Sequence, residues 1–237
     1  DALVTIISSN TELPSIREEI ELHTEDGQVL VGELALPIEE TKQLLITLHP
    51  LPTAGGFMDS HILRKAANRL PHLAGLGVLR FNTRGTSSPR GTSTGRFDGG
   101  VLERFDVAAA VEFAKSRGFE KPWLVGWSFG TELAIKYGPD HDITGAILLS
   151  PPLHRATEAD LRRWNDFSRP LVAFVPELDD YLVPEAAAER FAVVPAAQVL
   201  AFDGEKHLWV GEKATYRVLD AIVQTVLPGS DPLPTEY

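Results

Sequence analysis

The chain has 237 residues, no cysteine, and 22 Lys+Arg against 33 Asp+Glu, for a formal net charge of −11. The missing thiol excludes a disulfide framework, a thiolate metal site and a cysteine nucleophile, and the acidic balance argues against a nucleic-acid partner, because phosphate neutralisation needs clustered Lys and Arg. At 43% hydrophobic and 23% charged residues the composition is that of a globular protein with a proper core.

Residues 1–16 show no period and contain Pro14, so an extended arm is expected. The start, Asp1-Ala2-Leu3-Val4-Thr5, has neither a basic n-region nor a signal h-region. Nowhere does an apolar run approach the roughly 20 residues of a membrane span. These features lead us to expect a soluble, cytoplasmic protein. Glu18–Leu22 and Val29–Leu36 read as strands joined through His23-Thr24-Glu25-Asp26-Gly27, whose Asp-Gly pair is a hairpin signal. Leu44–Leu48 is a near-continuous apolar run of strand length, as in a strand buried on both faces. Pro50, Pro52, Gly55 and Gly56 punctuate its end. Asp59 is placed to cap a helix running through Ile62, Leu63, Ala66, Ala67 and Leu70, and Gly77–Phe81 is the next strand.

Residues 83–100 carry no apolar period and read as a long loop, a frequent place for function. Glu103–Arg117 reads as a helix ended by Gly118, Trp123–Val125 as a strand, Phe129–Tyr137 as a helix and Ala146–Leu149 as a strand. A short helix over Glu158–Trp164, a strand over Leu171–Val175, a helix opened by Pro184 and running to Phe191, a strand over Val199–Phe202 and a helix over Glu212–Val226 follow. The tail from Pro228 to Tyr237 is rich in proline and is expected to be loose. No repeat or linker divides the chain, so a single α/β domain over 1–237 is expected. It should hold a mostly parallel sheet with an antiparallel N-terminal edge hairpin and helices on both faces.

In such sheets sites lie beyond the carboxyl ends of the strands. Beyond Leu124-Val125 stands Gly126-Trp127-Ser128-Phe129-Gly130, a G-x-S-x-G pattern between a strand and a helix. A nucleophile on so sharp a turn needs small neighbours two residues away on each side, and the following helix N-terminus offers N–H groups to a developing oxyanion. A serine hydroxyl is a weak nucleophile and needs a base. Of seven histidines, His23 sits in the hairpin turn and His61 in a helix, while His49 and His207 each follow a strand, and His207, after the last strand, can reach across the sheet to Ser128. An acid must fix the imidazole tautomer. Glu177, Asp179 and Asp180, all just after Leu171–Val175, compete for that role.

Taken together, these residues resemble those of the α/β-hydrolase superfamily, and more narrowly its small dienelactone-hydrolase-like members. The likeness covers roughly residues 28–226. It rests on His49-Pro50-Leu51-Pro52 with Gly55-Gly56 and Met58-Asp59, Arg80-Phe81-Asn82-Thr83-Arg84-Gly85, and Gly95-Arg96-Phe97-Asp98 through Glu103 and Asp106. Gly126–Gly130, Ser150-Pro151-Pro152, Asp179 with Pro184, and His207 complete it. The chain order serine, acid, histidine is the one this fold uses. The resemblance implies that the acid is Asp179, the fourth residue counted from Pro176, with Asp180 and Glu177 as fallbacks. It also implies an oxyanion hole from the N–H of Phe129 and, since Pro50 and Pro52 have none, that of Leu51. Two departures stand out. Leu51 replaces a second histidine common in the family, and Pro176 replaces a glycine.

His49 is expected to brace its loop, and neither a metal nor a cofactor is expected. The 20 residues from Pro151 to Pro170 allow one short helix and no large cap. Trp127 and Leu208, beside the nucleophile and the base, are expected to contact substrate. Arg84, with Arg90 and Arg96, could receive an acidic substrate group; the blander reading ties Arg84 into the structure. The expected function is a serine hydrolase acting on carboxylic esters or related small-molecule acyl compounds. The alternatives are a peptidase or acyltransferase on the same triad, or a non-catalytic binding member of the fold. The sequence does not fix the oligomeric state.

Overall fold

The computed structural model describes residues 3–237; Asp1 and Ala2, the start of the expected arm, lie outside them. In chain order the strands are β1 (Ile16–His23), β2 (Val29–Leu36), β3 (Leu44–Leu48), β4 (Gly77–Phe81), β5 (Ser87–Ser88), β6 (Gly91–Thr92), β7 (Trp123–Trp127), β8 (Gly145–Leu149), β9 (Leu171–Pro176) and β10 (Gln198–Phe202). The helices are α1 (His61–Ala74), α2 (Glu103–Ser116), α3 (Phe129–Tyr137), α4 (Glu158–Phe167), α5 (Pro184–Phe191) and α6 (Glu212–Val226). Eight strands form one sheet in the order β1-β2-β4-β3-β7-β8-β9-β10. From β4 to β10 it is parallel, and the β1–β2 hairpin is antiparallel to itself and to β4.

The apolar runs explain why this sheet has helices on both sides. Successive strand side chains point to opposite faces. In β8, Ala146 and Leu148 join the core under α2, α3, α4 and α5, while Ile147 and Leu149 join the one under α1 and α6. β3 divides in the same way, Leu44, Ile46 and Leu48 against Leu45. A strand that serves two cores is apolar at nearly every position, which is the near-continuous run seen in the sequence, and the one polar residue of β3, Thr47, donates its hydroxyl to the Leu79 carbonyl at 3.3 Å.

The elements depart from expectation at their ends. Helix α1 continues through Pro71, whose missing N–H leaves the Ala67 carbonyl without its helical donor. The Arg17 guanidinium donates to that carbonyl at 3.1 Å, so the freed acceptor is satisfied from β1. Loop 83–100 contains the small β5–β6 hairpin. The proline-rich C-terminal segment is tied down where looseness was expected. Ile6 pairs with Glu236, the Leu233 N–H donates to Asp220 at 2.9 Å, and Leu233 itself is buried. Arm and tail thus bind each other across the surface of α1 and α6. Between β8 and β9 there is only α4, so no large cap stands over the sheet.

Candidate active site

Ser128 sits between β7 and α3 with φ 54° and ψ −113°, a left-handed conformation that a non-glycine residue rarely takes. The neighbouring glycines permit it. A β-carbon on Gly126 would collide with the Gly130 carbonyl, and one on Gly130 would collide with the Leu48 carbonyl of β3. Small residues at both places let the turn close against its own strand and its neighbour.

Three side chains from three separate connections meet here. The Ser128 hydroxyl and His207 Nε2 are 2.8 Å apart, and His207 Nδ1 and Asp179 Oδ2 are also 2.8 Å apart. The other Asp179 oxygen accepts the N–H groups of Tyr181 at 2.8 Å and Leu182 at 3.3 Å, which fixes the carboxylate's plane. Asp179 and His207 are both buried. The two competing carboxylates lie elsewhere. Glu177 accepts the Gly204 N–H at 2.8 Å, and Asp180 is exposed. The main-chain carbonyl of His207 accepts two bonds, from the Trp127 indole at 3.2 Å and from the Ser150 hydroxyl at 2.9 Å, and His61 Nε2 donates to the Leu208 carbonyl at 2.7 Å. The histidine loop is therefore held from three directions.

Neither the Phe129 N–H nor the Leu51 N–H has an acceptor among the described residues. Their placement has a local cause. His49 is fully buried; its Nε2 accepts the Thr83 N–H at 3.0 Å, so its Nδ1 carries the proton and donates to the Pro50 carbonyl at 2.7 Å. In a trans peptide the C=O and the following N–H point in opposite directions, and no peptide bond here is cis. Turning the Pro50 carbonyl toward His49 therefore turns the Leu51 N–H away from it. Burial pushes the His49 pKa down to about 4, so this donor–acceptor arrangement holds at neutral pH. Gly56 closes the loop by donating to the Leu51 carbonyl at 2.9 Å.

Ser128, His207, Leu51, Phe129 and Leu208 line one cavity of about 460 Å³. Its remaining wall includes Pro152, His154, Arg155, Asp180 and Tyr181. The Tyr181 ring meets His207 edge-on at 4.8 Å and His154 at 5.3 Å. Trp127, expected to contact substrate, does not line this cavity, and neither does Arg84. As the last residue of β7, Trp127 shares a face with Val125 and is buried in the core under α1 and α6. Arg84 is buried, with its guanidinium on Asp26 at 2.8 and 3.0 Å and on Asp106 at 2.9 Å, which ties it into the structure. The other two arginines of that loop differ. Arg90 pairs with Asp59 and Glu33, whereas Arg96 is exposed and has no ion-pair partner among the described residues. Among the described residues no group of three or more His, Cys, Asp or Glu gathers to hold a metal ion.

Several residues of the site carry no signal of their own in the sequence. Glu132, fully buried in α3, accepts three successive main-chain N–H groups: His154 at 2.9 Å, Arg155 at 2.8 Å and Ala156 at 2.9 Å. It thereby shapes the wall that faces the serine. The loop it holds contains two further left-handed residues, Ser150 (φ 53°) and Leu153 (φ 52°).

No family model matches the chain. It is similar to an uncharacterized protein of Rickettsia prowazekii, 29% identical over 132 residues, which are 54% of this chain and 53% of that one. The chain thus spans about half the length of the curated relative it matches. Among solved structures it superposes on an α/β serine hydrolase without a lid from Xanthomonas campestris (TM-score 0.74, 24% identity, 94% of this chain and 100% of that one). An α/β serine hydrolase homologue from Coxiella burnetii gives a TM-score of 0.75 at 22% identity, again over 94% and 100% of the two chains. An esterase from Pyrococcus furiosus gives 0.69 at 20% identity over 89% and 91%. The sheet order, the crossovers and these superpositions establish the α/β-hydrolase fold.

Proposed function

We propose that the protein is a serine hydrolase that cleaves carboxylic esters or related small acyl compounds through a Ser128–His207–Asp179 triad. The observation that carries this reading is the unbroken relay from hydroxyl to imidazole to carboxylate, two contacts of 2.8 Å each, ending on a strained serine. Ser128 Oγ attacks the acyl carbon as His207 Nε2 takes its proton. Asp179 holds the imidazole with Nδ1 protonated and stabilises the imidazolium. The oxyanion is met by the N–H groups of Phe129 and Leu51, which have no other acceptor among the described residues. His207 then gives the proton to the leaving oxygen, so the alcohol departs and an acyl-serine remains. Water, deprotonated by the same nitrogen, attacks that ester, and collapse of the second tetrahedral species returns the Ser128 hydroxyl and releases the acid.

Fluorophosphonate labelling with mass mapping tests the reading. Wild type is expected to form an adduct on Ser128 and to turn over short p-nitrophenyl acyl esters. Ser128→Ala is expected to lose the adduct and several orders of magnitude of kcat. Near-wild-type turnover by Ser128→Ala would overturn the assignment.

A further inference from the structure

The cavity beside Ser128 contains an arginine held more firmly than catalysis of a neutral ester requires. Arg155 is only partly exposed and is anchored at three levels. Its main-chain N–H donates to buried Glu132 at 2.8 Å, its Nε–H donates to the Gly99 carbonyl at 3.0 Å, and its guanidinium lies over the Phe129 ring, 5.1 Å from the centroid. The stem passes close over Gly100, where even a β-carbon would sit in contact with its Cδ. The two terminal nitrogens, Nη1 and Nη2, have no acceptor among the described residues. An Arg side chain loses much rotamer freedom when fixed. Here that freedom is already gone, while the half of the fork suited to a carboxylate is left open to the cavity.

Resting on the hydrolase reading above, we propose that Arg155 recognises a carboxylate on the acyl half of the substrate. The preferred substrates are then half-esters of short dicarboxylic acids. The side of the cavity follows from the chemistry. The leaving oxygen must face His207 Nε2, so the alcohol half lies along the wall of Tyr181, Asp180 and Leu208. The acyl half turns toward the wall built on Phe129, where Arg155 sits. Among the described residues the one acidic side chain lining the cavity, Asp180, is on the alcohol side, so the cavity is polarised along the substrate. A protein of net charge −11 repels anions at long range. A preference for an anionic acyl group therefore has to come from a local cation.

The test compares kcat/KM for 4-nitrophenyl hemiadipate with that for 4-nitrophenyl 6-methylheptanoate, in which an isopropyl group replaces the carboxylate. The wild-type ratio is expected to favour the anion by about tenfold or more, the contribution of one charge-assisted hydrogen bond. Arg155→Gln is expected to erase the preference, and Arg155→Lys, which keeps charge without the fork, to retain part of it. A wild type without preference, or an Arg155→Gln enzyme that keeps it, overturns the proposal. So does a preference for 4-carboxyphenyl acetate over phenyl acetate, which would place the anion on the alcohol side. Calorimetric binding of monomethyl adipate to Ser128→Ala, with and without Arg155→Gln, requires no turnover. Binding that Arg155→Gln abolishes supports the anion site even if no ester is cleaved, in which case only the hydrolase reading fails. Absence of binding to Ser128→Ala overturns the anion site.

Discussion

The sharpest predictions concern single atoms. Asp179→Asn replaces the acceptor of the His207 Nδ1 proton with a group that can donate, and so favours the wrong tautomer. A kcat loss on the order of 10⁴-fold is expected, the size seen when this tautomer is reversed in serine proteases. Asp180→Asn, measured beside it, should fall far less; if it is the crippled variant, the pairing is wrong. His49→Phe removes the proton that orients the Pro50–Leu51 peptide. If the Leu51 N–H serves the oxyanion, kcat should drop by about 10²-fold with little change in KM, the signature of a donor that acts in the transition state. An unchanged kcat would remove Leu51 from the mechanism. The residues proposed for the triad were legible because each lies in the connection just beyond a strand, in a sheet whose sites lie at strand ends. The partners that tie down Arg84 were not, because Asp26 and Asp106 are 58 and 22 residues away. Trp127 could have been read from strand parity, since it shares a face with Val125 and that face is core.

At the level of elements, near-continuous apolar runs revealed β3, β4, β7, β8 and β9, interrupted only at Thr47 of β3 and Arg80 of β4, because strands serving two cores do not alternate. The path of α1 past Pro71 was not legible, since its compensating donor is Arg17 on a strand 50 residues before the carbonyl it satisfies. Glu132 was equally silent. A glutamate in the first turn of a helix reads as a surface residue favoured by the helix dipole, yet this one is buried against the loop after β8. Its role is testable. Glu132→Gln keeps the shape but turns one acceptor into an NH₂ group facing main-chain donors. Leaving such donors unsatisfied should cost about 2–3 kcal/mol, or roughly 5–10 °C in Tm for a chain of this size. Because that loop carries Arg155, the same variant should also weaken any preference for an anionic acyl group. A Tm within 1 °C of wild type, roughly the scatter of surface substitutions, would show that the loop shapes itself.

The whole molecule should register the buried histidine in its acid stability. The folded pKa of His49 is depressed to about 4 from an ordinary 6.5, whereas the unfolded chain binds the proton near the ordinary value. Above pH 6.5 both states are neutral and nothing is lost. As pH falls from 6.5 toward 4, the unfolded state takes up a proton that the native state refuses, so stability declines. Integrated over the interval, the shift corresponds to about 3 kcal/mol. His61 and His141, also lowered chiefly by burial, act in the same direction. Asp26 extends the decline at lower pH. Arg84 holds its carboxyl down to about 2, so the stability from that pair is present above 3.8 and disappears between 3.8 and 2, discounted because Asp26 is partly exposed. The contribution of His49 can be isolated by difference. Urea unfolding of wild type and His49→Asn at pH 7 and at pH 4.5 should show the wild type losing more stability, by about 2–3 kcal/mol, because the variant has no imidazole to protonate on unfolding. Parallel losses in the two proteins would mean that His49 titrates in the folded state near its ordinary value, and the fixed proton on Nδ1 that orients the Pro50–Leu51 peptide would fall with it.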